Sequence, residues 1–176
     1  ALNIYPDGFR IEFSELEEPS PTGGVNVEFL FSPNVGEGVR PLRKIASGGE
    51  VSRVMLAFKG IFAEIDSIPT LIFDEIDSGV GGEALLKVAE ALEQIGRKRQ
   101  VICVTHSAIL AAFADQVHSV RKETREGRTS VRIESLGDEE ALLEELSRML
   151  GGRENFNVAK DQGKEMILFA KKKKRV

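Results

Sequence analysis

An α/β fold, with a mainly parallel sheet flanked by helices and a β-rich segment ahead of it, follows from three observations. Near the start of the chain apolar residues alternate with polar ones; further on they recur at three- and four-residue steps; and two short, continuously apolar runs are each followed by a helical pattern. Strands buried on both faces read as continuous apolar runs, and strand, helix, strand in that order implies a right-handed crossover and a parallel sheet. The 176 residues suffice for one domain, or one lobe of a larger one, with a real hydrophobic core.

Phe9, Ile11 and Phe13 alternate with polar positions, as do Val25, Val27, Phe29 and Phe31, so residues 1–45 are read as a β-rich segment. Pro19, Pro21, Gly23 and Gly24 supply the turn between the two runs, and Pro33, Gly36, Gly38 and Pro41 mark a longer loop. From Glu50 to Ile65 the residues Val51, Val54, Met55, Phe58, Ile61, Phe62 and Ile65 form one apolar stripe of a helix. Pro69 ends it, and Thr70 to Phe73 is read as a buried strand that runs into Asp74 and Glu75. A second helix spans Glu83 to Ile95 through Leu85, Val88, Ala89, Leu92 and Ile95, with Gly96 as its C-terminal cap. Gln100 to Thr105 is apolar on both faces, as a central parallel strand should be, and Ser107 to Ala114 is a short helix. Val117 to Val120 and Thr129 to Ile133, joined around Gly127, read as a hairpin closing the same sheet. Asp138 to Leu150 forms a helix capped by Gly151, and a weaker helical pattern runs from Phe156 to Ala170. The whole of 1–176 is read as a single domain, in which 46–150 is the core and 151–176 a C-terminal helix with a basic tail.

A hydrophobic fraction of 41% and a charged fraction of 30% exclude a disordered chain. The 24 basic and 28 acidic residues leave a net charge of -4, so no global basic field announces nucleic acid. Five of the basic residues are Lys171 to Arg175, and the remaining body, at 19 basic against 28 acidic, is acidic. That run is read as a solvated, frayed terminus in preference to a phosphate-binding tail, and Arg97, Lys98 and Arg99 as a solubilising loop. The single cysteine, Cys103, cannot form an internal disulfide; it is read as a small buried hydrophobe in a reducing, cytoplasmic setting. His118 has no Cys or second His at metal-ligand spacing, so no zinc site is expected. No apolar run approaches the roughly 18 residues of a membrane span and no signal-peptide pattern opens the chain, so neither membrane nor export is expected. The start on Ala1 rather than Met suggests a fragment.

Three constellations can carry chemistry. Ser47, Gly48, Gly49 and Glu50 stand at the start of the strongest helix, where open backbone N–H groups and the helix dipole favour an anionic phosphate; an ordinary serine cap is the bland alternative. Asp74 and Glu75, followed by Asp77, stand at the C-terminal end of a buried parallel strand, where open α/β sheets bind ligands. One such carboxylate can hold a hydrated Mg²⁺ while its neighbour polarises a water, though a solvated acidic loop would look the same. Thr105 and His106 end the next strand, from which an imidazole can hydrogen-bond a phosphate or the attacking water; a structural histidine is the alternative.

Together these residues resemble the ATP-binding-cassette ATPase head. Ala46 to Glu50 resembles the signature motif, Leu71 to Glu75 the Walker B strand, Asp77 the D-loop aspartate and His106 the switch histidine. Transporters of this superfamily usually carry Gln and Pro where this chain has Glu50 and Ile76. The stretches from Ala46 to Ala57 and from Pro69 to Gly82 are similar instead to the RecN family of bacterial DNA-repair proteins, relatives of the SMC chromosome proteins; Phe29 to Pro33, Arg40 to Leu42 and Val104 to His106 extend the similarity over roughly residues 25–150. No G-x-x-x-x-G-K-[ST] occurs, so the phosphate loop and its lysine are missing. The resemblance therefore implies the C-terminal lobe of a head, inactive alone and completed by an N-terminal Walker A lobe of the same protein. It implies ATP and Mg²⁺ as ligands, with Glu75 and His106 catalytic, Asp74 on the metal, and Ser47, Gly48, Gly49, Glu50 and Asp77 at the nucleotide. It further implies head-to-head homodimers closed by ATP, DNA bound through the complete assembly, and a nucleoid location.

Three alternatives are weighed against this. Ser47, Asp74 and His106 stand in the chain order of an α/β-hydrolase triad, but the nucleophile elbow needs Gly where Ile45 stands. Asp74, Glu75 and Asp77 could form a metal-dependent nuclease cluster. A non-catalytic dimerisation or partner-binding lobe, or the head of another SMC-family protein, would share the same motifs.

Overall fold

The computed structural model describes residues 8–32, 36–44, 48–62, 67–125, 128–151 and 156–174. The N-terminal segment folds as the alternation predicts. Strand β1 (Phe9–Ser20) pairs antiparallel with β2 (Gly23–Phe31), so that Phe9 lies opposite Phe31, Ile11 opposite Phe29 and Phe13 opposite Val27. The two-residue β3 (Arg40–Pro41) adds to β2. Phe9, Phe29 and Phe58 pack ring against ring, with centroids 5.6 to 6.0 Å apart, and Phe62 stacks on Phe58. Since Phe58 belongs to helix α1 (Gly48–Ile61), these rings tie the hairpin to the helix.

Helix α1 begins at Gly48, and the expected continuation to Ile65 lies partly outside the described residues. Its buried face differs from the expected stripe. Val54 and Leu56 are buried together with Arg53, whereas Met55, Ile61 and Phe62 are exposed. Apolar periodicity cannot foresee a charged residue on the inner face, and Arg53 is there because it hydrogen-bonds backbone carbonyls of a neighbouring turn.

Strand β4 (Thr70–Asp74) pairs in parallel with β5 (Gln100–Val104), Leu71 opposite Val101 and Asp74 opposite Val104. Helix α2 (Gly82–Gly96) makes the crossover and packs on β5. The cap is Arg97, one residue beyond the expected Gly96, which remains helical. Short α3 (Ala108–Phe113) follows, with Ser107 as its N-cap. The hairpin β6 (His118–Arg125) and β7 (Arg128–Ser135) forms, but as a separate antiparallel pair among the described residues and not as an extension of the parallel sheet. Helix α4 (Glu139–Gly151) is capped by Asp138, whose carboxylate accepts from the Ala141 N–H at 2.8 Å.

Helix α5 (Phe156–Lys174) continues past Ala170 through the lysines. The basic run is therefore not a frayed tail up to Lys174: Lys171 pairs with Glu139, Lys173 with Glu90 at 2.7 Å and Lys174 with Asp115 at 2.6 Å. Gly163 lets α5 approach α4, because a Cβ there would stand 3.0 Å from the Leu143 side chain.

One core joins these layers. Leu56 of α1, Leu71 and Phe73 of β4, Val88 of α2, Phe113 of α3, Leu146 of α4 and Ile167 of α5 belong to it. The parallel pair covers this core with one face only. Ile72, Ile102 and Val104, on the other face, are 69%, 44% and 58% exposed. The composition of strands buried on both faces thus meets a fold that buries one. Among the described residues no helix is long and apolar enough to cross a membrane.

Glu145, buried on α4, receives Arg148 at 2.6 Å and Arg121 at 3.1 Å. Its hydrogen bond from Arg148, against the opposing cost of burial and with help from both guanidinium charges, holds the carboxyl below its ordinary value of 4.5. A lowered folded value means that the stabilisation is complete above 4.5 and is lost as pH falls through that lowered value. Glu145→Gln should therefore cost about 2 kcal/mol at neutral pH and almost nothing in strong acid, as urea melts across that range would measure. An equal cost at both ends would remove the charge from the explanation.

Candidate functional site

Because β4 and β5 run parallel in this register, their carboxyl ends emerge side by side, and the segments 74–78 and 105–107 share one edge of the sheet. The chain reverses immediately. Glu75 has φ +53°, the left-handed region, the one non-glycine so placed among the described residues. For an L-residue this costs on the order of 1 kcal/mol, so its surroundings must impose it. Asp74 and Glu75 remain exposed, while Ile76 and Asp77 turn inward and are 0% and 4% exposed. The Ser78 N–H donates to the Glu75 carbonyl at 2.9 Å, and the Val80 N–H to the Asp77 carbonyl at 3.2 Å.

The start of α1 is what holds the turn. The Ser52 hydroxyl donates to the Asp74 carbonyl at 3.2 Å, and the Arg53 guanidinium to the carbonyls of Ile76 at 3.3 Å and Ser78 at 2.9 Å. Gly49 lies against the same turn: a Cβ there would stand 2.9 Å from both the Glu75 and the Ser78 carbonyl oxygens. Gly48 is exposed with open space around it. The two signature-like glycines thus differ, one making room for the protein's own backbone and the other facing solvent. Ser47 and the Glu50 side chain lie outside the described residues.

Asp77, expected at the nucleotide, is 4% exposed, with its carboxylate directed into the protein. Its Oδ2 accepts from the Thr105 hydroxyl at 2.5 Å and from the His106 backbone N–H at 3.2 Å, and the His106 Nδ1 lies 3.3 Å from the same oxygen. The physical reason is the left-handed reversal at Glu75, which drops the next two residues beneath the sheet edge. The His106 ring stays 83% exposed. Cys103, half-buried on β5, has its thiol pushed up to about 11, by burial first and then by the negative charges of Asp77 and Asp74. It stays protonated in neutral solution and is no nucleophile.

The edge thus brings together Gly48, Gly49, Asp74, Glu75, Asp77 and His106. Among the described residues no group of three or more His, Cys, Asp or Glu could hold a metal ion. A lone exposed carboxylate such as Asp74 fits a Mg²⁺ that takes its remaining oxygens from water and from phosphates brought by a ligand. Arg53 and Ser52 were not singled out by sequence. The available signal was a basic residue four positions after Gly49, on the same helical face.

No family model matches the chain. It is 40% identical over 174 residues to the DNA repair protein RecN of Halalkalibacterium halodurans, which covers 97% of this chain and 31% of that protein. To the DNA repair protein RecN of Treponema pallidum it is 42% identical over 166 residues, 94% of this chain and 29% of that protein. In structure it is similar to the Smc head domain with a coiled coil and joint derived from Pyrococcus yayanosii, at TM-score 0.54 and 28% identity, over 80% of this chain and 26% of that one. The chain spans about 30% of the length of these curated relatives.

The contrast between the glycines is testable. Gly49→Ala should destabilise the chain by about 1 to 3 kcal/mol, since both clashing atoms are backbone, while Gly48→Ala should cost well under half of that in the same urea melts. Equal effects would mean that the contact with the turn does not constrain Gly49.

Proposed function

Since the chain belongs with the RecN DNA-repair proteins and their SMC-like, ATP-binding-cassette heads, we propose that it forms the C-terminal half of an ATP-hydrolysing head in a protein of DNA double-strand-break repair. It binds and hydrolyses ATP when an N-terminal Walker A lobe completes it, and it works on nucleoid DNA in the cytoplasm. The observation that carries this reading is the single edge of the β4–β5 pair at which the start of α1, the Asp74–Glu75 carboxylates and His106 converge. The uncovered apolar face of that pair, with Ile72, Ile102 and Val104, supports a second lobe packing there.

In this head the Walker A lobe supplies the phosphate loop and its lysine. Asp74, together with the nucleotide's phosphates, would hold a Mg²⁺, which when bound would neutralise the charge that develops on them. Glu75, exposed at the strand end, accepts the proton of the attacking water. His106, whose ring reaches solvent, hydrogen-bonds that water or the terminal phosphate. The N–H groups at the start of α1, with the Ser47 hydroxyl, meet the phosphates of ATP held by a second copy of the head. ATP then closes a homodimer with two composite sites, hydrolysis loosens it, and DNA is engaged through the whole assembly.

ATP turnover by this chain, alone and mixed with a lobe that carries a phosphate loop, tests the proposal. Turnover is expected in the mixture only, and Glu75→Gln should lower it by about 100-fold or more while prolonging ATP-dependent dimers. Turnover by the chain alone would overturn the split-site reading, and undiminished turnover in Glu75→Gln would remove Glu75 as the base. An inert mixture that still dimerises would favour a purely structural lobe.

A further inference from the structure

We propose that Ser52 and Arg53 of α1 are positioning residues for Glu75: by gripping the carbonyls around it they hold it in the left-handed conformation from which its carboxylate is presented at the sheet edge. This rests on the role of base given to Glu75 above, and adds two residues that act on it through the backbone.

The inference starts from a conformation that Glu75 would not choose. Its φ of +53° is disfavoured for a residue with a Cβ, and its long side chain lacks the short polar group that lets Asn or Asp offset the cost locally. Such an outlier persists only where its surroundings over-determine it. Here they do so through carbonyl oxygens. The Ser52 hydroxyl donates to the Asp74 carbonyl, and one nitrogen of Arg53, Nη1, donates to the Ile76 carbonyl at 3.3 Å and to that of Ser78 at 2.9 Å. Between them, the Glu75 carbonyl oxygen lies 2.9 Å from where a Gly49 Cβ would stand. Ser52 and Arg53 follow Gly49 by three and four positions, so all three share one face of α1.

In an extended strand successive carbonyls point to opposite sides, so one helix face could not meet those of residues 74, 75 and 76 together. A left-handed residue at 75 breaks that alternation and lets α1 reach all three. The same reversal buries Ile76 and leaves Asp74 and Glu75 exposed at the end of β4. Arg53, itself 5% exposed, is fixed by packing as well as by its hydrogen bonds, so the grip is rigid. Rigidity matters at this position. A base must stand within hydrogen-bond reach of the proton it takes, and a displacement of about 1 Å costs on the order of 100-fold in rate. The strain at residue 75 therefore has a use: it fixes the point from which the carboxylate reaches.

The first test uses the full chain alone. Glycine adopts a left-handed conformation freely and alanine does not, so Glu75→Gly should unfold at a higher urea concentration than Glu75→Ala. Equal midpoints, or a higher one for alanine, overturn the proposal. The gap between these two variants is then measured again in the Ser52→Ala background and in Arg53→Met, which keeps an unbranched side chain without its donors. It should narrow in both, and more in Arg53→Met. A gap unchanged in every background that folds means that α1 does not impose the conformation. Ser52→Ala, which removes one exposed hydrogen bond, keeps this comparison decisive where Arg53→Met does not fold. The second test is turnover in the two-lobe mixture. Ser52→Ala, fully folded in buffer, should lower kcat about tenfold with KM for ATP unchanged. Arg53→Lys, which can still donate from one nitrogen to both carbonyls, should keep more turnover than Arg53→Met. An unchanged kcat in Ser52→Ala, or a change in KM alone, overturns the positioning role. Undiminished turnover in Glu75→Gln would instead remove the parent reading, while the glycine and alanine comparison on the chain alone would still decide what sets the turn.

Discussion

The reversal after β4 makes few hydrogen bonds of its own, yet it buries Ile76 and Asp77 and holds Glu75 in a left-handed conformation. Its inner carbonyls need donors, because a buried unsatisfied carbonyl costs about 1 to 3 kcal/mol. Arg53 supplies them, bonding the carbonyls of Ile76 and Ser78 from a position 5% exposed. A buried guanidinium is itself costly unless bonded, so helix and turn satisfy one another. Gly49, one helical turn earlier on the same face, allows the approach that makes this possible. Helix start, carboxylate pair and histidine segment are thereby linked in series, through Arg53 and Gly49 on one side and Asp77 on the other. In the proposed head the surface that meets a second copy is bolted to the edge that hydrolyses the chain's own ATP, which is how closure and chemistry would be coupled.

The acidic body has a structural counterpart in α5. Lys171, Lys173 and Lys174 reach Glu139 of α4, Glu90 of α2 and Asp115 beyond α3. Each exposed pair contributes little by itself, typically below about 1 kcal/mol. Three from the last turn of one helix nevertheless fix its end to α4, α2 and the segment after α3. The Lys173 ammonium also lies 5.6 Å from the centre of the Phe169 ring. A phosphate would have to displace carboxylates of the same chain to use these three lysines, so the stretch is a weaker candidate for a phosphate contact than its composition suggests.

Much of the fold was legible because period alone decides it. The period of two in Phe9 to Phe13 and Val25 to Phe31 places those residues opposite one another, as the hairpin register has them. The apolar runs before Asp74 and Thr105 identify the parallel pair and therefore the edge where the candidate residues meet. What escaped is what period does not encode. Arg53 interrupts an apolar stripe to serve carbonyls that are distant in sequence, the inward fate of Asp77 depends on one left-handed residue, and the helical lysines depend on carboxylates of α4, α2 and the segment after α3. The open face of β4 and β5 was misread for a different reason: the strands have the composition of a doubly covered sheet, and nothing in composition tells which chain provides the cover.

That open face explains why motifs alone would not make an active site here. A two-stranded sheet is a marginal structure, and this one is supported on one side by α1, α2 and the core. On the other side Ile72, Ile102 and Val104 keep roughly half of their surfaces in water. Covering them would contribute on the order of 3 kcal/mol. The strand ends that carry Asp74 and His106 are the same strands, so a lobe packing on that face would stiffen the edge through the sheet itself while bringing its phosphate loop beside it. Completion of the fold and assembly of the catalytic edge would then be one event, driven by apolar burial, with nucleotide chemistry confined to heads that have already found their missing half.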